Sequence, residues 1–569
     1  MAFRASNLIC LALLFLSHRA DAQEGQGINH IVSNRPGNFA NGTNINTLLG
    51  ANAFYDAGFT GQGTISASVE AGHIWNSHQT LTQVTQFANH SSAFGSTVND
   101  LMDRHATWVG HHLGGRQNNG SAQSAAWRNG IAHGTDLRSG AIASQWNGNA
   151  YALSFNFSGN SFDGGYSPYF GTADVINSSW GGTSPGGNNT FAIRLDGYAN
   201  NNPNTTLVTS AGNSGPASNT IGYPGSGYNA ITVAALANGG DNSYNSVASF
   251  SSRGPQDYFD PVNGTVNGAR AAIDIAGPGT NLHAAFYGGQ TGGNHFTIPG
   301  SSPGSSATDF FTFAVQGTSF ASPIVAGAVS LIKSASYNTA ALAANAATRD
   351  TRVVKSVLQN SADKIPGWNN GQVANGNGGV TTTQALDFAS GAGALNIGQA
   401  FEQYVMAGTR DVAGMANGNL GLVDRVGWDM GNVLLGGSNL YEISQALAGG
   451  SLFNVTLNWF RDRDYTGFLF NQTDNGQADL SLQVVNLTTN QVISESMSQF
   501  NTTEHLSFVL PSDGRYGVRV NYTQNTFGNQ GSVDYGIAWS GFAAVPEPGA
   551  LAVLTVVFAG CSLRRRRKQ

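Results

Sequence analysis

This chain of 569 residues is poor in cysteine and in charged residues, and both shortages exclude classes of protein. Its 2 cysteines, Cys10 and Cys561, lie in the terminal segments, so the region between them has no disulfide and must depend on a hydrophobic core. Only 10% of the residues are charged and the formal net charge is −6, which argues against a nucleic-acid-binding protein. Glycine is abundant, with 75 residues spread along the chain, and fits an extracellular protein built from strands and tight turns.

The N-terminal segment has the features of a secretory signal peptide. Arg4 precedes an apolar run, Leu8–Leu16, and Ala20-Asp21-Ala22 has the small-x-small form that signal peptidases cleave. We therefore expect residues 1–22 to be removed on export and the mature chain to begin at Gln23.

The C-terminal segment, residues 545–569, predicts a sorting signal or anchor. Val545-Pro-Glu-Pro-Gly549 is followed by an apolar stretch to Leu563 and by a basic cluster, Arg564–Lys568. The stretch is marginal as a permanent membrane span, but the basic cluster suits a stop on the cytoplasmic side. The arrangement resembles the PEP-CTERM sorting signal of bacterial envelope proteins, which implies cleavage near the Pro-Glu-Pro and a partner in the envelope sorting machinery. A plain anchor is the alternative, and in both cases the rest of the chain faces outward.

Two patterns divide the chain between these ends. Residues 45–405 alternate β-branched or alanine-rich runs with helix-like segments, which predicts an α/β fold with a parallel sheet flanked by helices. Residues 430–543 alternate apolar and polar side chains, which predicts an antiparallel β-sandwich. The clearest strand candidates are Gly63–Val69, Asp174–Ser178, Thr206–Ser210 and Ala230–Ala235 in the first region, and Phe453–Trp459, Leu480–Val485 and Tyr516–Val520 in the second.

The strongest local signal is Gly317-Thr-Ser-Phe-Ala-Ser-Pro323, a small-residue turn that runs into the apolar segment Ile324–Ile332. It places Ser319 at a helix start, where unpaired N–H groups and the helix dipole favour the anion formed when a carbonyl is attacked. We expect Pro323 to lie in the first turn of this helix, where it costs no hydrogen bond. For this segment alone, a serine that caps a buried helix is the alternative.

A serine hydroxyl needs a neighbouring imidazole to accept its proton and a carboxylate to orient that imidazole. His105 opens another helix-like segment and is the candidate base. Two further strand candidates end in polar, glycine-rich loops, Ser179–Gly182 and Ser210–Gly215. Because open α/β sheets present ligands at the carboxyl ends of their strands, these loops are candidates for the walls of a site.

Over residues 45–405 the chain resembles the subtilase family of serine peptidases. The serine block is similar to that family's Gly-Thr-Ser-x-Ala-x-Pro, and His105-Ala-Thr-Trp-Val-Gly110 is similar to its His-Gly-Thr-His-Val-Ala block. Gly61–Gly72 resembles the strand that delivers the acid, so acid, histidine and serine follow the family's order. Residues 430–543 resemble the jelly-roll modules that follow some subtilase catalytic domains. Supporting blocks occur in order at Gly130–Gly134, Tyr223–Gly225, Ala248–Pro255, Ile275–Gly279 and Val354–Leu358.

The resemblance implies a serine endopeptidase that acts on polypeptides. It assigns Ser319 as nucleophile, His105 as general base and then acid, Glu70 as the acid, and Asn213 as the side-chain half of the oxyanion hole. The substrate would lie as an added strand between two walls. The resemblance gives these walls as Ser179, Trp180 and Gly181 on one side, and Ser210, Ala211 and Gly212 on the other.

The chain departs from the family pattern at the acid and in the histidine block. Glu70 stands where the family normally has Asp, and the extra methylene moves the carboxylate by roughly an ångström, enough to affect catalysis. Asp103 and Asp100 are alternative partners for His105, although Asp103 also suits a helix cap. Trp108 stands where the family usually has His, and we expect its indole to reshape the packing beneath the base.

Two other interpretations stay open, and a zinc site is set aside. Because Glu70 stands where the family normally has Asp, one alternative is an inactive subtilase fold retained as a surface-binding or structural module. An acid peptidase of the sedolisin type, with a Ser-Glu-Asp triad, predicts activity at low pH without His105. The histidines near the site suggest a zinc site, but no His-Glu-x-x-His spacing exists and we attribute these histidines to a loop-rich surface. They are His73, His78, His111 and His112. The predicted function requires no cofactor, and no run of ligands identifies a calcium site.

Overall fold

The computed structural model describes residues 29–30, 43–91, 101–116, 129–149, 152–239, 243–288, 308, 311–412, 418–467 and 471–541. The predicted signal peptide and the predicted C-terminal sorting segment lie outside the described residues. Among the described residues, no helix combines the length and apolar character that crossing a membrane would need.

The first region alternates strands and helices. In chain order its elements up to residue 210 are β1 (Asn29–His30), β2 (Thr43–Asn44), α1 (Ile45–Leu48), α2 (Asn52–Asp56), β3 (Ile65–Glu70), β4 (Phe87–Ala88), α3 (Arg104–Gly114), β5 (Asp136–Ala141), β6 (Gln145–Asn149), β7 (Ala152–Asn156), α4 (Gly159–Tyr166), β8 (Val175–Ser178), α5 (Thr190–Asn201) and β9 (Thr206–Ser210). There follow β10 (Ile231–Ala237), β11 (Ser246–Val247), β12 (Gln256–Asp260), β13 (Gly264–Arg270), β14 (Ile275–Pro278), β15 (Leu282–Ala285), β16 (Phe311–Val315), α6 (Thr318–Asn338), α7 (Ala340–Ala343), a 3₁₀ turn (Ala346–Arg349), α8 (Thr351–Asn360), β17 (Val373–Ala374), β18 (Val380–Thr382) and α9 (Ile397–Tyr404).

The core of this region is an eight-stranded sheet in the order β11-β10-β9-β8-β3-β5-β4, with β14 also paired to β10. All its pairs are parallel except that of β10 with β11. The helix α6 packs on β8, β9, β10 and β14, and it is buried from Thr318 to Ser336, where every residue except Lys333 is apolar or small. The predicted α/β class is confirmed. The carboxyl ends of β3, β8 and β9 meet at one edge of the sheet, where the site lies.

The second region is made of strands that form two further sheets. Its strands are β19 (Thr409–Arg410), β20 (Gly418–Val423), β21 (Val426–Leu434), β22 (Ser438–Ile443), β23 (Leu452–Trp459), β24 (Asp462–Asp464), β25 (Thr473–Asn486), β26 (Gln491–Ser496), β27 (Thr503–Val509), β28 (Tyr516–Phe527) and β29 (Ser532–Gly541). One sheet runs β17-β18-β26-β25-β28-β22-β20, with β24 on β25, and the other runs β19-β21-β29-β23-β27. Most pairs are antiparallel, and apolar side chains of both sheets form one buried cluster. The predicted C-terminal β region is confirmed.

The strands β17 and β18 join the two regions. They come from the segment 367–382, which precedes α9, yet β18 pairs with β26 of the second region. The chain therefore enters the second region once before it returns to α9. The domain limits 45–405 and 430–543 stay predictions.

A buried ion pair and side-chain hydrogen bonds also join the two regions. Arg463 Nη1 lies 2.8 Å from Asp196 Oδ2 of α5, and the two side chains are 0% and 1% exposed. Asp474 accepts from both Arg461 and Arg463. Asn458 of β23 donates to Ser356 and Gln359 of α8. Burial of charge is tolerated here because every carboxylate involved has a cationic partner.

Candidate active site

The serine lies at the start of the buried helix α6. Ser319 is the second residue of α6, and Gly317 before it has φ 153°, a conformation that residues with a side chain rarely adopt. The Ser319 hydroxyl donates to the main-chain oxygen of Ser179 at 3.1 Å. Its N–H is among the first-turn groups that have no helical carbonyl to bind, so it is available to a developing anion.

The expectation for Pro323 is wrong. Because α6 begins at Thr318, Pro323 is the sixth residue of the helix and lies inside it, in the second turn. A proline there has no N–H to donate to the carbonyl four residues earlier, which is that of Ser319. The helix is nevertheless continuous, since its surroundings bury it from Thr318 to Ser336.

Glu70 links the base to the loop that contacts the serine. It is the last residue of β3, and its Oε2 lies 3.1 Å from His105 Nδ1. Its Oε1 accepts from Ser179 N at 2.7 Å. The carboxylate is 1% exposed. Ser179 therefore touches both the acid, through its N–H, and the nucleophile, through its carbonyl.

Glu70 stabilises the protonated form of the His105 imidazole. Burial lowers the pKa of His105, but the hydrogen bond and charge of Glu70, followed by the charge of Asp103, outweigh burial and raise the pKa above its ordinary value. Burial raises the pKa of Glu70, and the hydrogen bond and charge of His105 oppose that rise. The arrangement favours an imidazolium once a proton reaches His105.

Of the two alternative acids, Asp103 makes no hydrogen bond to the His105 imidazole among the described residues. Asp103 Oδ2 accepts from Ala106 N at 3.1 Å and caps α3. Asp100 lies outside the described residues. The contact with His105 therefore belongs to Glu70, and the second carboxylate serves the helix.

Asn213 is held by the first residue of α6. Its Oδ1 accepts from Thr318 N and from Thr318 Oγ1, both at 2.9 Å. The amide oxygen is thereby engaged, and the Nδ2 group lies beside the start of the serine helix, 3.5 Å from where a Cβ on Gly317 would be. The positive φ in this loop belongs to Gly212, at 102°, so no turn requirement explains an asparagine at 213.

The predicted walls follow β8 and β9. Gly182 N donates to Tyr223 O at 2.9 Å and closes the first wall at its far end. The Trp180 indole turns inward, since the residue is 7% exposed and its Nε1 donates to Tyr166 Oη at 2.9 Å. This wall thus presents main chain and not an indole.

Several wall groups are already engaged. Ser179 uses both its N–H and its carbonyl, as described above, and Ala211 N donates to Val233 O at 3.0 Å. Gly212 N donates to Thr318 Oγ1 at 3.1 Å. Ser210 lies at the end of β9 and pairs with β10. The N–H groups of Ala211 and Gly212 are therefore not available for pairing with a substrate strand.

The attribution of the four histidines to a loop-rich surface is wrong. His73, His78, His111 and His112 are each 0% exposed. Two of them lie on α3, which packs against α6, and polar neighbours such as Thr80 separate His78 from His111. Within the described residues, no three His, Cys, Asp or Glu side chains are grouped to hold a metal ion.

An aromatic group lies beneath the base. The ring centroid of Trp108 is 6.4 Å from that of His105, and Phe320 is 5.9 Å from both. The expected contribution of Trp108 to this packing is present. Sequence reasoning missed Phe320 and the bridging role of Ser179. The position of Phe320 directly after the serine was the available signal for the first, and nothing local signalled the second.

Comparisons with known proteins show the family of this chain. Residues 63–393 match the model of the peptidase S8 family, described as the subtilase family. The chain is 34% identical over 131 residues to a subtilisin of Bacillus sp. (strain TA39), covering 23% of this chain and 28% of that protein. It is 34% identical over 128 residues to the serine protease AprX of Bacillus subtilis (strain 168), covering 22% of this chain and 25% of that protein. The chain thus spans about a quarter of the length of these curated relatives.

A solved structure is similar at low sequence identity. It is described as proteases from Pseudoalteromonas arctica PAMC 21717, with a TM-score of 0.41 and 18% identity. The match covers 62% of this chain and 93% of that chain.

Proposed function

This chain belongs to the subtilase family of serine peptidases, and from that membership we propose that it is an exported endopeptidase that hydrolyses polypeptides through an acyl-enzyme intermediate. One observation carries the proposal: the continuous series of contacts from His105 through Glu70 and Ser179 to the Ser319 hydroxyl. A base, its orienting acid and a helix-start serine are the parts that acyl transfer requires.

In the proposed reaction, Ser319 Oγ attacks the carbonyl carbon of the scissile bond and His105 takes its proton. The carbonyl π electrons move to the oxygen, and Asn213 Nδ2 and Ser319 N–H stabilise the resulting anion. The oxygen then re-forms the carbonyl, the C–N bond breaks, and His105 gives the proton to the leaving amine. Water activated by His105 hydrolyses the acyl-enzyme by the same steps in reverse order. Glu70 holds the imidazole in one tautomer and stabilises its charged form.

A second candidate is an impaired subtilase fold that serves as a surface-binding module. The observation that favours this candidate is that the Ser319 hydroxyl donates to the Ser179 carbonyl and not to the His105 imidazole. Rotation about one side-chain bond redirects the hydroxyl, and catalytic hydrogen bonds commonly tighten only when substrate is bound. We therefore rank hydrolysis first.

The test is hydrolysis of unfolded casein by the mature protein beside a Ser319→Ala control, with and without a serine-directed fluorophosphonate. We expect the wild-type protein to release peptides and to be labelled, and the Ser319→Ala protein to do neither. Equal, negligible release by both proteins would leave only the binding function.

We further propose that the chain is exported and held at the bacterial cell envelope by residues 545–569. The support is the sequence of the two terminal segments alone. Mass spectrometry of the protein from its native envelope should give a chain that begins at Gln23. Loss of residues after the Pro-Glu-Pro would favour processing by sorting machinery, whereas an intact tail would favour a plain anchor.

A further inference from the structure

Asn177 is a buried amide in the middle of the central sheet. It is the third residue of β8 and is 0% exposed, and its backbone pairs with Ser68 of β3 and Val208 of β9. Asparagine is uncommon inside strands, and a buried amide costs free energy unless both its oxygen and its nitrogen find partners. An asparagine at this place therefore requires a reason that an apolar residue would not satisfy.

The two ends of this amide contact the two elements that meet at Ser319. Its Oδ1 accepts from Ser322 Oγ at 2.7 Å, and its Nδ2 donates to Ser179 Oγ at 3.0 Å. Ser322 follows Ser319 by three residues on α6, so the two serines lie on the same side of the helix. Because Ser322 is 0% exposed and Ser179 is 3% exposed, both hydrogen bonds are shielded from water.

These two hydrogen bonds complete a ring of contacts around the nucleophile. The Ser319 hydroxyl donates to the Ser179 carbonyl at 3.1 Å, and the ring returns from Ser322 to Ser319 along one turn of α6. Ser179 also donates its N–H to Glu70 Oε1 at 2.7 Å. A shift of Ser179 would therefore move the acid relative to the nucleophile, and the amide of Asn177 restrains that shift.

We propose that Asn177 is a positioning residue for the reaction proposed above: it fixes the loop residue Ser179 relative to the serine helix and so sets the position of the acid relative to the nucleophile. The inference rests on the proposed function, because this position affects a rate only if Ser319 reacts. An apolar side chain could fill the same space in the sheet, but it could not hold two hydroxyl groups at fixed places.

The first test measures kcat and KM of Asn177→Ala with a chromogenic peptide amide. Because the substitution frees Ser179, it should misplace the catalytic groups, and we expect kcat to fall about tenfold or more while KM changes by less than about twofold. Asn439→Ala is the matched control, since Asn439 is also 0% exposed and its amide donates to Asn432 O and Tyr535 Oη in the second region. It should lower the melting temperature and leave kcat at the wild-type value. A folded Asn177→Ala protein that loses thermal stability but keeps the wild-type kcat would overturn the inference.

Ser322→Ala is a second variant that keeps the amide and removes only its contact with α6. It should also lower kcat, and the double variant should lose no more than Asn177→Ala alone, because both substitutions break the same series of contacts. If Asn177→Ala does not fold, Ser322→Ala decides, and a wild-type kcat in that variant would overturn the inference.

A further readout needs no hydrolysis. The Nδ1 proton of His105 lies in the hydrogen bond to Glu70 Oε2, so its NMR signal reports the position of the acid. We expect this signal to shift in folded Asn177→Ala protein and to stay in place in Asn439→Ala. An unchanged signal together with an unchanged kcat would overturn the inference. A wild-type protein without hydrolytic activity would refute the proposed function, and the NMR signal would still decide whether Asn177 positions the acid.

Discussion

Replacing Glu70 with aspartate should slow the enzyme, although aspartate is the usual acid of the family that this chain resembles. Glu70 is the last residue of β3 and bridges two groups on other elements, His105 Nδ1 at 3.1 Å and Ser179 N at 2.7 Å. The backbone of β3 is paired with β5 at Glu70 itself and with β8 at Ser66–Ser68, and this pairing restrains it from advancing to follow a shorter side chain. Removing one methylene therefore withdraws the carboxylate by about 1.5 Å, one C–C bond.

The size of the loss follows from these two contacts. After a withdrawal of about 1.5 Å, the carboxylate can no longer reach both His105 Nδ1 and Ser179 N within hydrogen-bond range. It can keep one of these hydrogen bonds only by losing the other. Displacing a catalytic group by about an ångström costs roughly a hundredfold in rate. We expect kcat/KM of Glu70→Asp to fall about a hundredfold, which corresponds to about 2.7 kcal/mol of transition-state stabilisation.

The assay compares kcat/KM for a chromogenic peptide amide among wild type, Glu70→Asp and Glu70→Gln. Glutamine keeps the length of Glu70 and can accept from Ser179 N, but it presents an amide donor or a weaker acceptor to His105, and we expect a loss nearer ten-thousandfold. An aspartate variant as fast as wild type would refute the reasoning, since it would mean that the bridge to Ser179 does not fix the carboxylate.

Three further predictions follow from the same contacts. Asn213→Ala should lower kcat by about a hundredfold or more with little change in KM, because an oxyanion donor acts mainly in the transition state; stopped-time hydrolysis of the same substrate measures it. The imidazole must be neutral to accept a proton, and the pKa of His105 is raised, so the acid limb of the kcat/KM profile should lie above the ordinary histidine value of about 6.5. Arg463→Ala leaves Asp196 buried without its cation and should cost about 3 to 5 kcal/mol in urea unfolding, whereas Arg138→Ala, which breaks an exposed pair, should cost under about 1 kcal/mol.

The limits of a strand of the parallel sheet could be predicted from the sequence where every residue of that strand is buried. Thr206–Ser210 is predicted and observed with the same limits, because every residue of β9 is buried and the run is apolar or β-branched. The strand predicted at Gly63–Val69 is observed at Ile65–Glu70, since Gly63 has φ 80° and belongs to a turn. Local pattern thus fixed which segments are strands, and turn geometry fixed their limits.

The site was predictable only in part, because its decisive contacts are long-range. Glu70 and Ser179 are 109 residues apart, and Ser179 and Ser319 are 140 apart, so no periodicity signals that one serine touches both acid and nucleophile. The prediction that the histidines lie on the surface was wrong for a related reason. A short polar run such as His111-His112 resembles a surface, but α3 packs against α6, which is buried from Thr318 to Ser336, and both histidines are buried as a result.

The second region is better understood as part of the peptidase than as an attachment to it. The helix α8 is buried along its whole length, and its buried side chains include the polar residues Ser356, Gln359 and Asn360. Strands of the second region supply their partners: Asn458 donates to the first two, and Thr456 donates to Asn360 Oδ1 at 3.2 Å. These hydrogen bonds fix the relative position of α8 and the strands, because each amide needs a partner at one place. A purely apolar contact would allow the two surfaces to slide past each other. Since the first residue of α8 is hydrogen-bonded to the first residue of β9, a strand on which α6 packs, the second region limits how far the support of the serine helix can shift.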